Sequence, residues 1–145
     1  MREILFRGQN GKGEWEYGTP LIGGKDCKIA YIAQMHSYNA RVNPETISQY
    51  VWRVDAKGRR VFEGDIIRSL CPNDDEKNPF TAEYFEIFFN ERSAAFAMKV
   101  LGGGKRLIEN ELFSQEVFTE FRIEVIGNRW ETQEVLKKMK GAGTR

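Results

Sequence analysis

The chain has 145 residues, 41% hydrophobic and 30% charged, with ten Phe, five Tyr and three Trp. That length suits one domain, or one small barrel with an N-terminal extension, and that apolar content excludes a disordered segment. A net charge of +1 excludes a whole-molecule field drawing the chain to nucleic acid or an anionic membrane, so such binding would need a local patch.

Along the chain, period-two alternation recurs and helical periodicity is rare. The opening "MREILFRG" has no apolar core of signal-peptide length, and no run approaches the ~18 apolar residues of a membrane span. The expected location is therefore the cytoplasm, with no membrane partner. "EILFRG", "EWEYG" and "KIAYIAQM" read as three strands, and "HSYNARVNPET" as a loop.

"ISQYVWRV" reads as a half-buried strand with Tyr50, Trp52 and Val54 on one face and Ile47, Gln49, Val51 and Arg53 on the other. Asp55-Ala56-Lys57-Gly58 has the turn-starting Asp and the permissive Gly of a tight hairpin. "AEYFEIFF" and "AAFAMKV" read as central strands joined through Asn90 to Ser93, with Phe96, Met98 and Val100 sharing a face. In "FRIEVIG", Phe121, Ile123 and Val125 alternate with Arg122 and Glu124. One helix is expected near the end, capped by Thr132, with Val135, Leu136 and Met139 as its apolar stripe and Lys137, Lys138 and Lys140 at its negative end before Gly141.

Between the strand-like runs "RRVF" and "IIRSL" the chain breaks at Glu63-Gly64-Asp65. Gly64 is free to adopt backbone conformations closed to other residues, and the Asp65 carboxylate can accept a nearby N–H, so the break reads as a sharp corner. The run "PETISQYVWRVDAKGRRVFEGDIIRS" resembles the central signature of the YopX family of phage and prophage proteins through Thr46, Gln49, Tyr50, Asp55, Gly58, Phe62, Glu63, Gly64, Asp65 and Ile66. The start "MREILFRG" and the ending "IEVIGNRWETQEVL" are also similar to that family, the latter through Glu124, Val125, Ile126, Gly127, Asn128 and Glu131. The chain departs from the pattern at Val51-Trp52-Arg53, usually Thr-Gly-Leu, and at Thr132-Gln133, usually Asn-Pro. The resemblance implies a mainly β fold with an SH3-like C-terminal barrel and a phage origin. It implies no established activity, so no catalytic residue carries over.

The expected architecture is mainly β: an N-terminal β subdomain over 1–43, an SH3-like small β-barrel with one short terminal helix over 44–140, and a frayed tail over 141–145. The boundary is expected near Asn43-Pro44.

Several motifs invite site readings. Glu63 and Asp65 could divide acid and base roles, but a Gly corner scrambles their geometry, and no nearby His, Lys or Ser completes a constellation. "NDDE", Asn73 to Glu76, lacks the spacing and turn Gly of a calcium loop. His36 and Cys27 carry no surrounding signature of a nucleophile and base. Cys27 and Cys71 lack a CxxC partner, and reduced thiols are expected. "GGGKR", Gly102 to Arg106, lacks the Ser or Thr of a phosphate loop, and "LIENELF" is at best a short helix. The reading is a chain with no catalytic residue, no cofactor and no metal ligand set, in which Asp55, Gly58, Glu63, Gly64 and Asp65 shape turns.

Two functions follow. The first is a non-catalytic interaction module that self-associates, because "EILFRG" and "KIAYIAQM" exceed what one small barrel needs. Its partner would be a second copy or an unidentified phage or host protein. The second is a nucleic-acid-binding accessory protein that uses Trp52, Arg53, Lys57, Arg59, Arg60, Lys105 and Arg106, since bases stack on aromatic rings beside basic side chains.

Overall fold

A computed structural model describes residues 1–35, 38–101, 109–131, 134–135 and 137–139. His36, Lys105, Arg106, Thr132, Leu136, Lys140 and the tail 141–145 lie outside the described residues, and with them the Gly102 to Arg106 tip. The chain is mainly β, and it divides into two compact units, Met1–Tyr50 and Val51–Arg145.

The first unit contains β1 (Phe6–Gln9), β2 (Trp15–Gly23), β3 (Ile29–Ala33), β4 (Ala40–Val42) and the first residues of β5 (Ser48–Val54), in the order β4-β3-β2-β1-β5. Pairing is antiparallel, with Leu21 opposite Tyr31 and Ile22 opposite Ala30. Because side chains alternate along a strand, Ala30 and Ile32 turn together to a small core with Val42, Phe6 and Ile47. Arg7 is buried with its guanidinium 4.0 Å from the Trp15 ring centroid, and its Nε donates to Ser48 Oγ at 3.1 Å. These contacts satisfy a cation that burial would otherwise penalise.

In the second unit, β5 continues to Val54 and neighbours β6 (Arg60–Phe62). β7 (Asp65–Pro72), β8 (Phe80–Asn90), β9 (Ala95–Leu101), β10 (Glu109–Glu111) and β11 (Glu124–Asn128) form an antiparallel sheet ordered β10-β9-β8-β7-β11. One face of this sheet, through Ile67, Phe85, Ile87 and Met98, builds the main core with Val51, Val61, Phe118 and Ile123. On the other face Ile66, Ile126 and Val135 cluster with Tyr84, Leu101 and Met139. Val135 belongs to the helical residues near the C-terminus, which pack where Gly127 leaves room: a Cβ there would lie 2.2 Å from Val135 Cγ2.

Several local expectations are corrected. Tyr50, Trp52 and Val54 do not share a buried face, because Trp52 has φ 57 and breaks the alternation, leaving consecutive Tyr50 and Val51 both buried. The loop read across residues 36–46 contains β4 and a 3-10 turn, Pro44–Thr46, whose Asn43 side chain accepts from Glu45 N. Three residues of alternation are too short to register as a strand pattern. Glu109–Glu111, expected at best as helix, is strand β10. The helix near the end is joined by a second, α1 (Gln115–Glu120), capped by Ser114, whose Oγ accepts from Val117 N at 3.3 Å. Residues Phe121 and Arg122 close α1 rather than begin a strand.

The Glu63-Gly64-Asp65 corner separates β6 from β7. Gly64 has φ 87, its N–H donates to Ile87 O at 2.7 Å, and its carbonyl accepts from Arg129 N at 2.9 Å. Asp65 is buried and its Oδ2 accepts from Phe62 N at 2.8 Å across the turn. A Cβ on Gly64 would lie 2.6 Å from the Trp130 ring, whereas one on Gly58, at φ +79, meets nothing within 4 Å. Replacing each by Ala therefore separates two costs. Gly58→Ala should lose about 1–2 kcal/mol from the left-handed backbone, and Gly64→Ala a further ~1–3 kcal/mol from overpacking. Equal losses in denaturant unfolding would show that Trp130 yields without cost.

Candidate functional site

The Asp55 to Gly58 hairpin is organised by one carboxylate. Asp55 Oδ1 accepts from Lys57 N and Arg59 N at 2.9 and 2.8 Å, and Oδ2 accepts from Arg59 Nε and Val125 N at 3.0 Å each. Burial alone would raise the pKa of Asp55, but the N–H groups of Val125, Arg59 and Lys57, with the Arg59 charge, outweigh it and hold the carboxyl below its ordinary value. The turn is thereby tied to β11, and Lys57 and Arg59 project beside that strand.

There they meet the second face of the sheet. Alternation along β7 sends Ile67 and Ser69 to one side and Ile66, Arg68 and Leu70 to the other. Register places Arg68 between Tyr84 on β8 and Glu124 on β11, with Leu70 opposite Ala82 and Pro72 opposite Phe80. The result is an open groove of about 810 Å³. Phe80, Leu70 and Ala82 supply its apolar floor, and Phe80 is 54% exposed.

Four cations line it: Lys57, Arg59, Arg68 and Lys138. Among the described residues one carboxylate, Glu124, faces them there. Glu124 Oε1 meets Lys57 Nζ at 2.9 Å and Arg59 Nη2 at 3.5 Å, while Oε2 accepts from Arg68 Nη2 at 3.1 Å. The Lys57 hydrogen bond, followed by the charges of Lys57, Arg68 and Arg59, outweighs burial and lowers the Glu124 pKa. Arg59 Nη2 also donates to Val125 O at 2.7 Å, and Lys138 Nζ donates to Ile126 O at 2.6 Å.

The residues expected to contact nucleic acid are thus divided. Lys57 and Arg59 come together, joined by Arg68. Trp52 and Arg53 line a separate cavity of about 550 Å³ with Phe96, Ala95 and Leu112. There Arg53 is committed to backbone, its Nε donating to Phe113 O at 2.6 Å and Nη1 to Trp52 O at 3.1 Å. Arg60 is exposed on β6 and lines neither cavity. Sequence reasoning missed Tyr84, Phe80, Glu124 and Lys138, because cross-strand register alone brings them to Arg68.

Glu63 and Asp65 do not share a cavity: Glu63 lines one with Glu86, Glu91, Lys99 and Arg129, whereas Asp65 is buried against the turn backbone. Cys27 is an exposed thiol and Cys71 a partly buried one, neither in a disulfide. Burial pushes the Cys71 thiol up, which leaves little thiolate at neutral pH. Among the described residues no group of three or more His, Cys, Asp or Glu side chains is placed to hold a metal ion, and no helix is long and apolar enough to cross a membrane.

A family model described as YopX protein matches residues 10–137. The chain belongs to the YopX family. No curated protein matches it. The matched span carries Lys57, Arg59, Arg68, Tyr84 and Glu124, and Lys138 lies just beyond it. For this YopX-family chain the Asp55 anchor has a measurable consequence. Its folded pKa is depressed, so its stabilisation is present above the unfolded value near ~3.9 and is lost as pH falls through the folded one. Asp55→Asn should cost on the order of 1–3 kcal/mol at pH 7, by leaving a buried N–H without its acceptor. The gap between variant and parent in denaturant unfolding should close as pH drops below about 4. A gap constant to pH 2.5 would show that the charge of Asp55 plays no part.

Proposed function

We propose that this YopX-family chain is a non-catalytic binding module whose groove on the β8-β7-β11 face receives single-stranded nucleic acid. The observation that supports this is four cations beside an exposed aromatic ring, opposed by one carboxylate among the described residues. Cations neutralise phosphates and release condensed counterions, while a flat ring such as Phe80 accepts a base by stacking. In fluorescence anisotropy a labelled dT oligomer should bind with affinity falling as salt rises. Arg68→Ala together with Lys57→Ala should weaken it and flatten the log–log salt slope by about 0.7 per lost phosphate contact. A parent protein that leaves every DNA and RNA oligomer unshifted at low salt would end this reading.

A second observation favours self-association by the first unit. On the face of β2 and β3 opposite Ala30 and Ile32, Tyr17, Leu21 and Ile29 are 46%, 46% and 41% exposed. A row of apolar side chains on one sheet face is the usual mark of a contact surface, and soluble homomers close symmetrically. Sedimentation should give a mass above 16.8 kDa that Leu21→Asp returns to it, with the melting temperature little changed because Leu21 is half exposed. A parent mass of 16.8 kDa at all concentrations would count against the interface.

A further inference from the structure

Two donors in the groove have no acceptor among the described residues: Arg68 Nε and Tyr84 Oη, both buried. They belong to side chains directly opposite each other on β7 and β8. Leaving a buried donor unpaired is costly, and two such atoms on one cross-strand pair call for an acceptor that the described residues do not supply. The neighbouring nitrogen, Arg68 Nη2, is held by Glu124 Oε2 at 3.1 Å. Nε and Nη2 form one edge of the guanidinium plane, whose parallel N–H groups match two oxygens of a phosphate or carboxylate. Glu124 uses half of that edge.

We propose that the Nε/Nη2 edge of Arg68 and the hydroxyl of Tyr84 receive one phosphate of the bound strand, and that Glu124 holds that edge until the phosphate displaces it. This assignment rests on the nucleic-acid reading above. The exchange leaves no charge stranded: Glu124 Oε1 keeps Lys57 and Arg59, at 2.9 and 3.5 Å. Arg59 itself stays fixed through Asp55 Oδ2 and Val125 O. Among the described residues the contact surrendered is Oε2 to Arg68, replaced by two N–H donors and one O–H donor on the incoming phosphate. Glu124 is thus a tethered competitor for the same edge that binds ligand, and its charge sets the threshold an incoming anion must exceed.

The test is anisotropy with the same dT oligomer on the full chain. Tyr84→Phe deletes only the unpartnered hydroxyl, so it should leave the melting temperature unchanged or raised, yet weaken binding roughly tenfold, the scale of one hydrogen bond to a charged group. Glu124→Gln should tighten binding severalfold by removing the competing charge. Inorganic phosphate should compete with the oligomer more strongly than chloride at equal ionic strength. Tyr84→Phe binding as the parent does, Glu124→Gln binding no better than the parent, or phosphate and chloride competing equally would each overturn the assignment while parent binding kept the wider reading intact. Absence of binding by the parent overturns the nucleic-acid reading itself.

Discussion

The second unit depends on the Asp55 carboxylate. It accepts two N–H groups within its own hairpin, a third from β11 and a fourth from the Arg59 side chain. A turn held by backbone bonds alone would present Lys57 and Arg59 with whatever freedom the loop retained. Here the same group that closes the turn also fastens it to Val125, with Ala56 N donating to Ile123 O at 2.8 Å beside it. A depressed pKa is the signature of this arrangement, since every donor favours the ionised form. Preorganisation of the two cations follows from the turn chemistry.

The net charge of the whole chain conceals the local field. Among the described residues four cations against one carboxylate line the groove, on a molecule whose overall charge is +1. Near a surface, two unit charges 4 Å apart interact by about 4 kcal/mol at an effective dielectric of 20, so where charges sit matters more than their sum. Exposed pairs contribute little to stability, and Lys57, with 64% of its side chain exposed, is bound weakly to Glu124. Arg68 differs: its side chain is 33% exposed and its Nε is buried, so water screens it less. The weakly held Lys57 suits capture of a ligand, and the less exposed Arg68 suits its orientation.

Strand class and turn chemistry were legible because they are local. Gly58 and Gly64 carry positive φ, and Asp55 and Asp65 accept backbone donors at the two turns their sequence context marks. The three strand runs read in the first unit overlap β1, β2 and β3, but β1 starts only at Phe6 and β2 runs on to Gly23. What local pattern could not convey is pairing: nothing in "AEYF" says that Tyr84 lies opposite Arg68, or in "FRIEV" that Glu124 lies on its other side. The basic residues near Arg59 were visible as a group, whereas Trp52 and Arg53, joined to them by adjacency in sequence, line a separate cavity. A single left-handed residue at Trp52 sends that ring to Phe96, at 6.1 Å between centroids, and away from the Lys57 side. Likewise, the units divide at Tyr50 and Val51, inside a strand, where composition shows no change.

The groove exists because register along β7 is fixed at both ends of its pairing. A slip of one residue would exchange Ile67 with Arg68, sending a guanidinium into the main core and an apolar chain to solvent. The Gly64 corner sets the start, through its bonds to Ile87 O and Arg129 N and the Asp65 bond to Phe62 N. On β11 the pairing shifts between Val125 and Gly127, so that Ile126 is the extra residue of a bulge. Glu124 faces Arg68, and Ile126, two residues on, joins Ile66 and Val135 in an apolar cluster on the same face. One strand therefore supplies both the acid that balances the cations and the hydrophobic wall beside them. The extra residue brings Gly127 rather than Ile126 opposite Ile66, and the missing Cβ of that glycine leaves the room in which Val135 packs.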